Sequence, residues 1–333
     1  MIVRFGYVAI SLQLQDASPS KTMTMTHFRK LTDRAAGLRR LEAIGRANLQ
    51  TTLRVLKHNV AEDIHMYRMS SKLIPLATHA ELQDWDPITA LEPEFADIGK
   101  YVREHRLRVS FHPDHFTVIN TPRPEVLEAA VRDLRHHVRM LKAMGLDARA
   151  KNNIHVGGAY GDKPTAADRF VEQFSQLDDD IRCRITVEND DKTFTTPETL
   201  DVAQRSGLPM VLDIHHHMVN SAGESAALYW PDIARTWESP LARTDVPEGS
   251  YLLPKIHASS PRSATDQRSH ADGVEAAPLL DFLRQAARTS SHLDVMLEAK
   301  HKDLALLALM NDLRALEGDG VRIIDKASIE VLP

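Results

Sequence analysis

A single cysteine, Cys183, is all the thiol this 333-residue chain carries. No intrachain disulfide can form, which removes the stapled secreted scaffolds and fits a reducing compartment. Cys183 precedes an apparent strand and reads as a small buried apolar residue rather than a nucleophile. Long apolar runs are missing as well. No stretch approaches the ~18 residues that suggest a membrane span. The apolar stretch at Met1–Tyr7 is short and interrupted by Arg4, so it is no secretory signal. The expectation is a cytoplasmic protein with no membrane partner. A basic excess is also lacking: 41 Lys and Arg stand against 46 Asp and Glu, for a net charge of −5. If the chain binds nucleic acid, its positive charge must be concentrated locally or supplied by bound metal ions. No repeat, low-complexity segment or dividing linker breaks the chain, so one domain over residues 1–333 is expected.

What is present is an alternation. Eight β-rich runs occur at Val3–Ala9, Ile64–Met69, Arg108–Phe111, Asn152–Val156, Arg184–Glu188, Met210–Ile214, Leu252–His257 and Asp294–Leu297. Helical spacing fills the intervals, most clearly over Thr32–His58, Pro124–Met144 and Ala299–Leu316, and Pro164 and Pro197 stand where helices open. This pattern predicts an α/β fold, a (β/α)8 TIM barrel. The competing open doubly wound sheet gathers its ligands at one switch point, whereas here chemistry-bearing residues stand at the ends of many runs. Tyr229–Ser250, with Pro231, Pro240 and Pro247, reads as an insertion (229–250), and Glu317–Pro333 as a C-terminal extension (317–333).

The run ends carry one chemistry. His112 follows the third run, His155 ends the fourth and Glu188 the fifth. Asp213 and His216 belong to the sixth, His257 to the seventh with His270 in the loop beyond, and Glu298 to the eighth. In a barrel these ends converge on one face. Imidazole and carboxylate without thiolate suit Zn²⁺, Mn²⁺ or Fe²⁺, and Glu188 has two oxygens with which to bridge two of two or three ions. Any one of these residues alone reads as structural, and Glu188 or Asp213 as a helix cap; their repetition at six run ends is what argues for a metal site. His27, His58, His105, His136, His137 and His301 lie in helical or linking segments and read as solvated or packing residues. If the sixth strand continues through His215–His217, only alternate residues face the metals; His216 is the choice.

Several stretches together resemble the UV damage endonucleases, most closely the bacterial form. They are Arg4–Tyr7, Asp16–Pro19, Pro75–His79, Ser110–Pro113, Ile154–Gly161, Glu188–Lys192 and Asp213–His216, spread through nearly the whole chain. The resemblance implies a barrel related to endonuclease IV and a Mn²⁺-type cluster, with Zn²⁺, Co²⁺ or Mg²⁺ as other occupants. The matching metal positions are His112, His155, Glu188, Asp213, His216, His257, His270 and Glu298. Lys255 matches a lysine that can be carboxylated beside the metals, and burial that depresses its pKa would favour this. Glu188 and Lys255 are thus the catalytic candidates. The implied substrate is damaged double-stranded DNA, cut immediately 5′ to cyclobutane pyrimidine dimers and 6-4 photoproducts, and in some members at abasic sites. Two positions depart from the family: His115-Phe116 stands where a glutamine and an aromatic residue are usual, and Ser11 where an asparagine is usual.

The chemistry expected is metal-assisted phosphodiester hydrolysis that leaves a 3′-hydroxyl and a 5′-phosphate, with no side-chain nucleophile. DNA and lesion contacts are expected from Tyr7, Ser11, His115, Phe116, Tyr160, Lys163 and Lys192, with Phe116 wedging into the opened duplex. A local basic rim of Lys72, Lys163, Lys192, Arg262, Arg268, Lys300 and Lys302 would offset the acidic total, with Asp178–Asp180 on the opposite side. The enzymatic alternative is a sugar isomerase-like barrel with similar ligands. An amidohydrolase is disfavoured because the first run has no His-x-His, and a noncatalytic damage binder would not need so full a ligand set.

Overall fold

The computed structural model describes residues 1–332. Its strands are β1 (Ile2–Val8), β2 (Met66–Arg68), β3 (Arg108–Ser110), β4 (Asn152–His155), β5 (Ile185–Glu188), β6 (Met210–Asp213), β7 (Lys255–Ala258), β8 (Pro261–Ser263), β9 (Asp266–His270), β10 (His292–Leu297), β11 (Val321–Ile323) and β12 (Ser328–Val331). Eight of them, β1 to β7 and β10, run parallel in the spatial order β4-β5-β6-β7-β10-β1-β2-β3. Phe111, just past β3, bridges to Asn152 of β4, with Phe111 N–H donating to Lys151 C=O at 3.0 Å and Asn153 N–H to Phe111 C=O at 3.0 Å. That bridge nearly closes the (β/α)8 barrel. Each of the eight runs read from the sequence overlaps a barrel strand, with ends displaced by up to three residues.

Alternation along the strands sorts the side chains into two sets. Val3, Phe5, Tyr7, Tyr67, Val109, Ile154, Val187, Leu212, Ile256, Val295 and Leu297 join one buried cluster with residues of the surrounding helices, such as Leu49, Leu134 and Phe170. The other set fills the barrel and is strongly polar. Toward the strand N-termini, Asp294 accepts from Arg4 at 2.8 Å and from Arg108 at 2.7 Å. Val8, Met66 and Met296 pack together one or two steps up. Gly6 is required at this level, since any Cβ there would collide with the Met66 carbonyl oxygen.

The helices begin where their caps dictate. Pro124, Pro164 and Pro197 each open one, and Thr196–Ser206 combines a Thr195–Glu198 capping box with Gly207 in the left-handed region at φ 69°. Tyr229–Ser250 contains the helices Trp230–Thr236 and Pro240–Arg243. The first is stitched to β6: Met210 N–H donates to Thr236 Oγ1 at 2.9 Å, and Trp237 Nε1 donates to Met210 C=O at 2.8 Å. It therefore covers a barrel strand, as a regular barrel helix does. Beyond Glu317, β11 and β12 form a hairpin, and β12 pairs antiparallel with Ile2–Arg4. β2 meets β1 only from Gly6 onward, so the first half of β1 would otherwise be an open edge.

Candidate metal centre

At the C-terminal ends of the strands the inward positions become ligand types. Three groups of possible ligands form, His112–His155–Glu188, Glu188–Asp213–His216 and Glu188–His257–Glu298, each with its ligand atoms within 4.8 Å of one another. Glu188 belongs to all three. His257 Nδ1 lies 3.1 Å from Glu188 Oε1 and 2.9 Å from Glu298 Oε1; His112 Nε2 lies 3.4 Å from Glu188 Oε2, and His216 Nδ1 3.5 Å from Glu188 Oε1. His270, at the end of β9, stands one ring away, 6.3 Å from His216 between centroids.

Local folding orients these rings. β6 does not continue through the histidine triplet: Asp213 caps a helix over Ile214–Val219 by accepting from His216 N–H at 2.7 Å. Helical spacing, and not strand alternation, thus returns His216 over Asp213. His215 is tied at both nitrogens, to Gln267 C=O at 2.6 Å and Ser259 Oγ at 2.7 Å, and His217 likewise, to Thr196 Oγ1 and Glu224 C=O, each at 2.8 Å. Neither has a free nitrogen for a metal. The choice of His216 agrees with this geometry, although the strand argument behind it does not. His112, His216 and His270 each pair Nδ1 with a backbone carbonyl, of Pro113 at 3.0 Å, Asn189 at 3.0 Å and Glu298 at 2.6 Å respectively. This leaves Nε2 free, the arrangement typical of metal-binding imidazoles.

The donors fit a divalent cation cluster on physical grounds. Asp213 Oδ2, His155 Nδ1 and both ring nitrogens of His257 are buried without a hydrogen bond, an arrangement that carries a desolvation cost unless something else satisfies it. Burial opposes the charge on Glu188 and Glu298. Even so, His257 and His155 beside Glu188, and Arg68 and His257 beside Glu298, hold both carboxyls well below the usual carboxylate range. Burial, together with the neighbouring Glu188 and Glu298, raises Asp213. For His216 burial lowers the pKa, but Asp213, Glu188 and Glu298 outweigh it and push the ring up to about 9. The acidic centre is thus held by imidazolium charge that a metal would replace.

Three neighbours, Asn153, Thr186 and Arg68, carried no ligand signature in the sequence. Asn153, whose Oδ1 accepts from Thr186 at 2.7 Å, donates from Nδ2 to Glu188 Oε2. Both are polar residues two positions before a ligand on the same strand face, which is the one signal that could have found them. Arg68, ending β2, pairs with Glu298. Lys255 is two residues before His257, buried, with its pKa lowered to about 7 by burial and then by the charges of Arg108 and Arg68.

The residues expected to meet the lesion divide. Phe116 is 74% exposed, and its ring lies 4.0 Å from that of His115, which is exposed too. Tyr160 is also exposed, at a left-handed φ of 50°. Lys192 is on the surface side of the loop after β5, and Lys163 is paired with both oxygens of Glu198 at 3.0 Å. Two expectations need correction. Strand alternation turns Tyr7 toward the helical layer, fully buried, with its hydroxyl donating to Asn59 Oδ1 at 2.7 Å. Ser11 is buried too, its hydroxyl donating to Asp303, which also accepts from Leu12 N–H at 2.8 Å. Neither is available to DNA in this structure; Ser11 instead fastens the loop after β1.

The UV-endonuclease UvdE family matches residues 3–330. UV DNA damage endonucleases of Bacillus pumilus and Bacillus cereus are 44% and 42% identical, each covering 96% of both chains, and that of Halalkalibacterium halodurans is 40% identical over 100% of both. Among solved structures, SacUVDE superposes with a TM-score of 0.79 at 28% identity, covering 94% of this chain and 99% of the other. Endonuclease IV of Thermus thermophilus shares the fold at a TM-score of 0.52 and 13% identity, covering 94% and 98%. A family match over almost every residue, on a barrel whose strand ends converge on Glu188, places this chain in the UV-endonuclease UvdE family.

Proposed function

We propose that the chain is a metal-dependent endonuclease that hydrolyses the DNA phosphodiester immediately 5′ to cyclobutane pyrimidine dimers and 6-4 photoproducts, with abasic sites as a further substrate. The products are a 3′-hydroxyl and a 5′-phosphate. The observation that carries this reading is Glu188 shared by three ligand groups at the mouth of the barrel, in a chain that matches this family throughout.

His112 and His155, Asp213 and His216 with His270 beside them, and His257 and Glu298 would hold two or three Mn²⁺ ions around Glu188; Zn²⁺, Co²⁺ and Mg²⁺ are the alternatives. Bound there, the ions supply Lewis-acid neutralisation of phosphate charge and activation of water. The chain's own part is preorganisation. Asn153 and Thr186 fix the Glu188 carboxylate, and the backbone carbonyls fix the rings. With its pKa near 7, Lys255 has a neutral fraction that can attack carbon dioxide. A nitrogen–carbon bond forms, a proton leaves, and an anionic carbamate results. Phe116 and His115 project into solvent as a stacking pair suited to a duplex weakened by a lesion. Cys183 is buried and takes no part.

The test is incision of a labelled duplex with a single thymine dimer, with Mn²⁺ and with chelator. Metal-dependent cleavage 5′ to the dimer, absent from undamaged duplex and from Glu188→Gln, is expected. Folded, metal-loaded protein that leaves the duplex intact would overturn the reading.

A further inference from the structure

A cavity of about 520 Å³ opens beside the metal centre, with Glu298 and His112 at its inner end and Lys72 and His115 further out. Arg68 lines it. Its side chain is mostly buried, 15% exposed, and makes one hydrogen bond among the described residues, from Nη1 to Glu298 Oε1. Its other N–H groups therefore have no protein acceptor. Lys302 follows Glu298 by four residues, on the turn that leaves β10, where its backbone N–H donates to Ala299 C=O at 3.3 Å; burial first, then the charge of Arg68, lowers its pKa. It is half-buried, held at a left-handed φ of 50°, and has no carboxylate within 4.0 Å among the described residues. A non-glycine residue in that backbone region is uncommon and strained unless its surroundings hold it there.

The charges do not balance once Glu298 serves as a ligand. Among the described residues its carboxylate is the one anion within 4.0 Å of Arg68, and a bound cation would take up that charge. Two like charges in a half-buried setting then repel, and an anion between them relieves the repulsion. Arginine with free N–H groups suits phosphate oxygens bidentately, and lysine adds a point charge. We propose that Arg68 and Lys302 form a phosphate clamp that holds one phosphodiester of the DNA strand next to the metal centre. The clamp rests on the endonuclease reading above and adds to it the residues that register the strand. It also explains how β2, the barrel strand between β1 and β3, takes part in the site without ending in a metal ligand.

The test pairs protein variants with DNA lacking single charges. Duplexes with one thymine dimer carry a neutral methylphosphonate at each flanking phosphate in turn, and binding is measured for wild type, Arg68→Gln, Lys302→Gln and the double variant. Mn²⁺ binding without DNA is measured by calorimetry on the same proteins. At one position the wild type should lose affinity on the order of 10-fold, while the double variant loses nothing further there and keeps the wild-type penalty elsewhere. Its salt dependence should be shallower by about 0.9 in log–log slope, as for one phosphate contact. Mn²⁺ affinity should be unchanged. Lys302→Gln alone, at the first residue of a helix, reports the same effect if Arg68→Gln disturbs folding. Equal methylphosphonate penalties in variant and wild type at every position would overturn the clamp. So would loss of Mn²⁺ in Arg68→Gln, which would make Arg68 a support for Glu298. Wild type that incises normally alongside indifferent variants removes the clamp alone; wild type loaded with Mn²⁺ that incises nothing removes the endonuclease reading.

Discussion

Glu188→Gln is the most informative perturbation, because one side chain belongs to all three ligand groups. The replacement keeps shape and removes charge. It also puts an amide N–H₂ at one of the two oxygens, either Oε2, where Asn153 Nδ2 already donates, or Oε1, with His257 Nδ1 3.1 Å away. In chelator, removing one partner from a buried charge network costs about 3–5 kcal/mol. Unfolding entropy near 2.1 cal/mol/K per residue, over 333 residues, is about 0.7 kcal/mol/K. The melting temperature should therefore fall by about 4–7 °C. With Mn²⁺ at about 100 times its Kd, wild type should gain about 2.7 kcal/mol, or about 4 °C. The variant should gain far less, since every group has lost its shared ligand. Differential scanning calorimetry with chelator and with Mn²⁺, beside metal analysis of the same samples, reads both effects. A variant with wild-type metal content and the full Mn²⁺-dependent rise would refute the shared-ligand argument.

Further outcomes follow from the same geometry. His216, pushed up to about 9, is protonated at neutral pH and must lose that proton to bind metal. Mn²⁺ affinity should thus rise with pH toward 9, and calorimetry in buffers of different ionisation enthalpy should show proton release at pH 7.5. Lys255, lowered to about 7 from 10.5, is charged in both folded and unfolded chains below pH 7. Above that the folded protein sheds the proton while the unfolded chain keeps it to about 10.5. Its contribution to stability therefore climbs with pH between the two values; in chelator, Lys255→Met should flatten that climb in urea melts and be the more stable protein at pH 6. Phe116→Ala should leave metal content intact and weaken binding to damaged duplex by about 1–3 kcal/mol, read by fluorescence anisotropy. Tyr7→Phe should lower stability by about 1 kcal/mol through the lost bond to Asn59 and leave lesion binding unchanged; impaired binding at unchanged stability would return Tyr7 to the DNA face.

Much of this protein was legible in one dimension. Run–helix alternation marks a barrel because parallel strands need helical crossovers, and the barrel brings strand ends together whatever their spacing in sequence. The candidate ligands at those ends were readable for that reason, with His112, His155, Glu188, Asp213, His257 and Glu298 each within two residues of a strand end. Where a helix starts within a residue or two was less legible. Asp213 caps at once, so helical geometry decides among His215, His216 and His217. Tyr7 was misplaced because a motif shows proximity in sequence, whereas strand parity decides which face of the barrel wall a side chain leaves from. Ser11 was misplaced because its partner, Asp303, lies 292 residues away. Arg68 went unread because arginine at a strand end is commonplace until Glu298 is seen beside it, 230 residues further along the chain. The sequence by itself determined the eight-run alternation, the ligand chemistry and the family. Only the tertiary structure decided which polar groups share a buried volume, because that depends on register and parity between strands distant in the chain.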